Sequence, residues 1–151
     1  MKINTTLLAA QPFLKGLSKQ QLEVLSDNAM LVEFPVGRLI FEEGLDAHRF
    51  YVILEGSVAL ESANGSAESD LIQTISAGDV LGWSWLFPPY KWNFNARALA
   101  PTKAIIFFAP TLRELCERDH DLGYELLKRV SQVVISRLQS TRLQSLKRVL
   151  K

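Results

Sequence analysis

Cysteine is nearly absent from this chain, with Cys116 the only one among 151 residues. A single cysteine cannot close an internal disulfide bond. A chain of this length can bury roughly 68–70% of the surface that its unfolded form exposes, so its core needs no such crosslink. The composition therefore indicates a reducing compartment, and we expect a cytoplasmic protein.

Long hydrophobic runs are missing as well. No apolar run approaches the roughly 18 residues of a membrane-spanning helix, and the apolar residues 7–10 are too few for the core of a signal peptide. The composition, 48% apolar and 22% charged, is that of a globular domain. We expect one structural domain that does not contact a membrane.

Residues that could bind a metal are few. His48 is predicted to begin a buried strand, and His120 follows Cys116 by four positions, so these two could share a helical face. Two ligands do not complete a zinc site, and no nucleophile is identifiable near His120. The sequence therefore predicts no metal, no cofactor and no enzymatic activity.

Acidic residues are absent from the C-terminal part of the chain. Residues 126–151 contain 7 Lys or Arg and no Asp or Glu, whereas residues 1–125 contain 10 basic and 16 acidic residues. This charge either belongs to a solvated helix face or meets an acidic protein partner or a polyanion. A lone basic helix binds nucleic acid only weakly and without specificity, so we expect no specific nucleic-acid partner. The basic residues are Lys128, Arg129, Arg137, Arg142, Lys147, Arg148 and Lys151.

Short apolar segments with strand-like patterning occupy the middle of the chain. Turn residues such as Glu55-Gly56 separate them. Regular short strands at close spacing favour a small β-sandwich or barrel over a βαβ fold. Residues 50–54 are apolar at every position, which is typical of a strand enclosed between two sheets. The polar segment 62–70 is predicted to be an exposed hairpin loop. The predicted strands are 31–34, 39–41, 50–54, 57–60, 71–75, 93–100 and 103–108.

Helical patterning flanks these strands. Ser18 is a suitable N-cap for a short helix, and Pro110 suits the first turn of another. From Leu122 to about Leu150, leucine and valine recur every three or four residues. Such a helix would be about 40 Å long, more than one small β-domain needs to cover its core. Its surplus apolar stripe predicts a homodimer formed through this helix.

The order of elements is accompanied by specific motifs. They are PFLKGLS at 12–18, PVG at 35–37, IFEEG at 40–44, FYVILEGSV at 50–58 and AGDVLG at 77–82. On these motifs the chain resembles the cyclic-nucleotide-binding domain superfamily, specifically the sensor domain of the cAMP receptor protein (Crp/Fnr) family, without its helix-turn-helix domain.

This resemblance implies a fold. The expected class is mainly β with flanking helices, a β-roll or jelly roll (double-stranded β-helix) followed by a long C-terminal helix. Residues 1–110 would form the N-terminal helix and the β-roll. Residues 111–151 would form the C-terminal helices, including the dimerisation helix.

The resemblance also implies a place for a ligand. In the family, a short helix receives the cyclic phosphate on its N-terminal amides, a glutamate just after a glycine takes the ribose hydroxyl, and an arginine about ten residues later pairs with the phosphate. The corresponding segment here is residues 81–86, Leu-Gly-Trp-Ser-Trp-Leu, which we call the cassette. Trp83 stands at the glutamate position, and Trp92 or Asn93 stands at the arginine position.

Both charged ligands of the family are thus missing. Each loss typically costs about 2–5 kcal/mol, and about 1.4 kcal/mol is one decade of affinity, so two losses move a micromolar site to millimolar or weaker. Strand alternation places Arg97 on the face opposite Trp92 and Phe94, where it cannot substitute. We expect binding of cAMP or cGMP to be absent or weak.

Aromatic residues crowd the same segment, and all three tryptophans lie between residues 83 and 94. Two interpretations are open. Either the rings fill the former pocket and leave no ligand site, or they line a pocket for a flat or apolar small molecule that nearby polar groups orient. The candidate ligand-binding residues are Gly82, Trp83, Ser84, Trp85, Leu86, Trp92, Asn93 and Phe94.

The functional expectation is a non-enzymatic regulatory module that senses a noncanonical small-molecule ligand or none. Trp83 and Trp85 would pack between the roll and the C-terminal helix and pass a change in the cassette to that helix. The alternatives are a structural interaction scaffold, whose basic helix docks on an acidic protein partner, and a weak cAMP or cGMP binder.

Overall fold

The computed structural model describes residues 3–62 and 70–150. The strands are β1 (Ala29–Phe34), β2 (Leu39–Phe41), β3 (Arg49–Glu55), β4 (Ser57–Ser62), β5 (Asp70–Ser76), β6 (Val80–Leu81), β7 (Asn95–Ala98) and β8 (Thr102–Phe108). The helices are α1 (Thr5–Ala9), α2 (Lys19–Asp27), α3 (Ala109–Arg118) and α4 (His120–Leu150), and two 3₁₀ helices lie at Pro12–Leu14 and Trp83–Trp85.

The strands form two antiparallel four-stranded sheets, in the orders β1-β8-β3-β6 and β2-β7-β4-β5. The helices flank these sheets, and α4 ends the described chain. This architecture confirms the expected mainly β roll with flanking helices and a long C-terminal helix.

Strand β3 lies at the centre of the core. No side chain from Phe50 to Ile53 is more than 3% exposed. The ring of Tyr51 faces Phe41 in the opposite sheet, at 6.0 Å between centroids. The ring of Phe50 contacts Phe13 of the first 3₁₀ helix, at 5.3 Å. The strand is buried on both faces as predicted, but one of the two covering layers is helical rather than a second sheet.

Helix α2 begins where the sequence predicts. The hydroxyl of Ser18 accepts the backbone N–H of Gln21, and the Gln21 side chain accepts the backbone N–H of Ser18. This reciprocal pair is a capping box, which satisfies two N–H groups that the first helical turn leaves free.

Asp119 separates the last two helices. It ends α3, and its carboxylate accepts the backbone N–H of Leu122, so α4 begins at His120 rather than at Leu122. Cys116 and His120 therefore belong to different helices and do not share a helical face. His48 precedes β3 and is exposed, so the prediction that it begins a buried strand was wrong. In the described parts of the chain, no group of three or more His, Cys, Asp or Glu is placed to hold a metal ion.

Two predicted β segments differ from the structure. Strand β7 starts at Asn95, not at residue 93, because the backbone N–H of Trp92 bonds to the carbonyl of Leu45 in a loop. It ends at Ala98, two residues before the predicted end at residue 100. The predicted hairpin loop at 62–70 falls almost wholly on residues 63–69, which lie outside the described residues.

The first half of α4 covers the roll, and its second half extends beyond it. Leu122, Leu126 and Val130 are each about 1% exposed, whereas Leu138 is 66% exposed. None of the described helices combines the length and the apolarity that crossing a membrane requires.

Candidate functional site

The second residue of the cassette, Gly82, cannot be replaced by another residue without strain. Gly82 has φ +87°, in the left-handed region, and a Cβ added there would lie 2.5 Å from the ring of Trp92. The residue therefore allows both the sharp turn out of β6 and the close approach of the indole. A 3₁₀ helix of three residues, Trp83–Trp85, follows it.

Trp92 fills the interior of the roll beside this turn. Its side chain is 3% exposed and stacks on Phe41, with 3.8 Å between ring centroids and 11° between ring planes. Its backbone carbonyl accepts the N–H of Gly44, and its backbone N–H donates to the carbonyl of Leu45. The main chain of Trp92 is therefore held as well as its ring. One of the two candidate arginine positions thus holds a buried, stacked indole.

The other two tryptophans have different surroundings. Trp85 is fully buried, its ring contacts Phe50 at 5.3 Å, and its indole N–H has no hydrogen-bond partner among the described residues. Trp83 is half-buried. Its ring packs edge-on against Phe94 at 5.8 Å, and the guanidinium of Arg137 from α4 lies over it at 4.7 Å. Of the two rings expected to meet the long helix, Trp83 is the one with a ring contact to a residue of α4.

The polar groups of the site bind each other. The side-chain amide of Asn93 donates to the hydroxyl of Ser84 at 3.3 Å, and Ser84 is 5% exposed. Phe94 is 6% exposed, and Leu86 packs against the core. The structure thus brings all eight predicted site residues together, but it pairs the two polar side chains that were expected to orient a ligand.

Helix α3 is tied to the cassette by Arg113. Its guanidinium donates to the carbonyl of Trp85 at 2.7 Å and lies 4.2 Å from the centre of the Tyr90 ring. Tyr90 has φ 58°, a left-handed conformation that is uncommon outside glycine. It follows the pair Pro88-Pro89, whose peptide bond is cis. Arg113 thus contacts both ends of the segment 85–90, which runs from the last residue of the 3₁₀ helix to Tyr90.

Arg137 is the residue at this site that the sequence analysis missed. It was grouped with the solvated basic flank of a dimer helix, but it is only 8% exposed and donates to the backbone carbonyl of Val80. Burial lowers the pKa of its guanidinium to about 10, and the nearby carboxylate of Asp79 opposes this change. A signal was present, because Arg137 continues the inward-facing series of Leu126 and Val130 at helical spacing.

The remaining cations near the site are engaged elsewhere. Arg97 lies on the outer side of β7, where it pairs with Glu61 at 3.3 Å and donates to the carbonyl of Gly37. Arg97 thus lies on the face that strand alternation predicted, opposite Trp92 and Phe94. Lys91 forms an exposed ion pair with Asp46, and its hydrogen bond lowers the pKa of that carboxyl group. Neither side chain takes the place of the family's arginine.

Comparison with known proteins places this geometry in a family. The family model described as the cyclic nucleotide-binding domain matches residues 31–119. The CRP-like cAMP-activated global transcriptional regulator of Mycobacterium tuberculosis is 23% identical over 135 residues, which are 89% of this chain and 58% of that regulator. The chain therefore spans less than two thirds of this relative.

Solved structures show the same fold. A protein from Geobacter metallireducens, described as a cyclic nucleotide-binding protein, superposes with a TM-score of 0.82 and 29% identity, over 90% of this chain and 98% of that one. The regulatory subunit of a cAMP-independent protein kinase A from Trypanosoma brucei superposes with a TM-score of 0.69 and 24% identity. The match covers 84% of this chain and 45% of that one. A triple variant of that subunit, in which one change introduces an arginine, is bound to cAMP. Because the matched family region covers more than half of the sequence, the chain belongs to the cyclic nucleotide-binding domain family.

Proposed function

We propose that this chain is a non-enzymatic regulatory module whose cassette does not bind cAMP or cGMP with ordinary affinity and instead senses a flat or apolar small molecule. Trp92 carries the proposal. Its buried indole is stacked on Phe41, at one of the two positions, Trp92 or Asn93, to which the resemblance assigns the family's phosphate-binding arginine. An uncharged ring offers a phosphate no charge-assisted hydrogen bond, and it occupies part of the space inside the roll.

Relatives support a regulatory role. The mycobacterial relative is a transcriptional regulator, and the trypanosomal neighbour is a kinase regulatory subunit. That neighbour belongs to a cAMP-independent kinase, and its cAMP-bound variant carries an introduced arginine. The same fold is thus compatible with regulation that does not depend on cAMP.

Trp83 is the residue through which a ligand would act on α4. Its ring is the half-buried indole of the cassette, whereas Trp85 is fully buried, so a flat ligand can stack on the accessible part of Trp83. The same ring carries the guanidinium of Arg137 on its face. A ligand that moves Trp83 breaks this contact. It thereby shifts the population from the arrangement in which Arg137 lies over the ring to one in which it does not, and the packing of α4 changes with it.

We also propose that the output is passed on by a homodimer formed through α4. Its second half carries four exposed apolar side chains in two pairs with a spacing of three, Ile135 with Leu138 and Leu143 with Leu146, between 53% and 66% exposed. Such a stripe is buried when two copies of the helix pair. Two-fold pairing of identical helices is the commonest way to cover it.

Calorimetric titration with cAMP and cGMP tests the cassette. We expect no saturable binding at nucleotide concentrations up to about 0.1 mM, since two lost charge contacts weaken a micromolar site by several decades. A micromolar dissociation constant for either nucleotide would overturn the proposal. Tryptophan fluorescence with a panel of flat apolar metabolites then identifies the ligand, because all three tryptophans lie at the site.

A second candidate is a structural scaffold in which the indoles fix one conformation. It is favoured by the burial of Trp85 and Trp92, which are 0% and 3% exposed. The variant Trp83→Ala separates the two. A sensor loses its ligand-induced change in emission in this variant, whereas a scaffold shows no such change in either protein. Because Trp83 is only half-buried, we expect the fold to be retained in both cases.

A further inference from the structure

Helix α4 carries a row of exposed apolar side chains on the side that faces away from the roll, which we call its outer face. Its members are between 42% and 66% exposed: Tyr124, Leu127, Ile135, Leu138 and Leu146. They follow one another at intervals of 3, 8, 3 and 8 residues, and such intervals keep side chains on one face of a helix. Tyr124 and Leu146 each lie 11 residues from Ile135, so the outer face is centred on that isoleucine.

The two ends of the outer face carry opposite charge. Residues 114–125, which end α3 and begin α4, contain five acidic residues and one basic residue. We call them the acidic end. Residues 138–150, the basic end, contain Arg142, Lys147 and Arg148 and no acidic residue. A helix with opposite charge at its two ends is complementary to a second copy of itself when the two copies run in opposite directions.

Part of this charge has no partner within the described chain. Of the five acids, only Glu114 and Glu125 form ion pairs among the described residues. Glu117 and Asp121 are exposed and form none with that part of the chain. Arg142 is exposed and also unpaired among these residues. It cannot pair along its own helix, because the sequence has no acid after Glu125. Both ends are therefore free to attract a partner.

A parallel pair of α4 helices would bring like charges together. Each basic residue of the basic end would stand at the height of the same residue in the other copy, and each acid of the acidic end likewise. Like charges across an interface oppose association. In paired helices, the charges that flank the apolar seam set the orientation. The charge pattern of α4 thus disfavours the parallel arrangement.

We propose that α4 pairs antiparallel with α4 of a second copy, centred on Ile135, with the basic end of each helix beside the acidic end of the other. The inference rests on the homodimer proposed above and assigns its orientation. In such a two-fold pair, Tyr124 of each copy stands at the height of Leu146 of the other. Residues 147–148 reach residues 122–123 of the other copy, within one turn of Asp121. The acidic end includes α3, whose Arg113 binds the cassette, so each α4 ends beside the helix that borders the other copy's cassette.

Crosslinking between engineered cysteines tests the orientation. In a Cys116→Ser background, one chain carries Tyr124→Cys and a size tag, and a second chain carries Leu146→Cys. Both positions are exposed, at 62% and 53%, so neither change disturbs the core. After subunit exchange and mild oxidation we expect only the mixed disulfide. Identical positions would lie about 33 Å apart along an antiparallel pair, beyond the reach of a disulfide bond.

The control for this experiment is Leu45→Cys, whose position is 58% exposed in a turn and should crosslink with neither chain. Disulfides between identical chains, without the mixed species, would overturn the antiparallel orientation. A wild-type chain that stays monomeric would overturn both the proposed dimer and its orientation, whereas a dimer that crosslinks only at identical positions overturns the orientation alone.

Ionic strength gives a readout that needs no substitution. Salt screens the attraction between the two ends of an antiparallel pair, but it screens repulsion in a parallel pair. We expect the dimer dissociation constant, measured by analytical ultracentrifugation, to rise at least about threefold between about 0.05 and 0.5 M NaCl. A dissociation constant that falls or does not change would overturn the proposal.

Charge reversal tests which ends meet. Changing Lys147 and Arg148 together to Glu should weaken the dimer at least about fivefold, since it places acids beside the acidic end. Adding Asp121→Lys to the same chain should recover at least about half of that loss on a logarithmic scale. Lys19→Glu, at an exposed lysine of α2, is the control and should leave the dimer unchanged. A loss that Asp121→Lys does not relieve would overturn the pairing of the two ends.

Discussion

The indole of Trp92 lies directly against the backbone of Gly82, closely enough that a Cβ on Gly82 would stand 2.5 Å from the ring. The turn that opens the cassette and the ring that fills the roll are therefore interdependent. Neither position can be changed without affecting the other.

Gly82→Ala tests this relationship. Backbone strain in the left-handed region costs about 1–2 kcal/mol, and contact with the buried ring adds about 1–3 kcal/mol of overpacking. We expect the free energy of unfolding to fall by about 2–5 kcal/mol in chemical denaturation. Gly44→Ala is the control, because Gly44 has φ +88° and no heavy atom within 4 Å of an added Cβ. Equal losses in the two variants would contradict the close contact.

Arg113→Ala tests the link between α3 and the cassette. The variant loses the hydrogen bond to the Trp85 carbonyl and the contact with the Tyr90 ring. We expect a loss of about 1–3 kcal/mol in unfolding free energy. Arg118→Ala, on the same helix, removes only an exposed pair with Glu114 and should cost less than about 0.5 kcal/mol. If Arg113→Ala loses no more unfolding free energy than Arg118→Ala, Arg113 does not link α3 to the cassette.

The thiol of Cys116 is expected to be unreactive near neutral pH. Burial raises its pKa from 9.0 to about 11, with smaller contributions from Glu117 and Asp119. The thiolate is the nucleophile, so alkylation at pH 8 should be at least tenfold slower than that of a free thiol. The rate should rise steadily up to about pH 11. Cys116→Ser is the control for reaction at other groups.

The same shift makes a prediction about stability. Because folding raises the pKa of this acid, its stabilising contribution is present below pH 9.0 and is lost as the pH rises towards about 11. The difference in unfolding free energy between the wild type and Cys116→Ser should therefore decrease over that interval. A difference that stays constant would show that the thiol is not buried as described.

Leu138→Glu tests the proposed dimer. Leu138 is 66% exposed on α4, and a charge in the centre of the apolar stripe opposes helix pairing. We expect light scattering to show a dimer for the wild type and a monomer for the variant. Leu45→Glu places the same charge at a leucine that is 58% exposed in a turn, and it should remain dimeric. A wild-type monomer at all concentrations would overturn the proposed dimer.

The elements with strong local patterns were predictable. The central strand is marked by five consecutive apolar residues, and α2 follows a serine N-cap that has a glutamine three positions later. Such signals depend on neighbours in the chain, which stay neighbours in the fold. Boundaries set by distant partners were less predictable. The start of β7 was misplaced by two residues because the backbone of Trp92 bonds to Leu45, 47 positions away.

The pairing of Ser84 with Asn93 is another long-range result. Both side chains were assigned to a ligand, since each has the hydrogen-bonding groups that a ligand would need. They lie nine residues apart, and only the fold brings their polar atoms to 3.3 Å.

The sequence alone determined the family, the β-roll and the long terminal helix, because motifs and periodicity are properties of neighbouring residues. Only the tertiary structure decided that Trp92 lies inside the roll while Trp83 stays half-buried, and that Arg137 turns inward to lie over it. These outcomes depend on how α4 and the two sheets pack together. Burial and desolvation are set by residues far apart in the chain, whose distances no local pattern specifies.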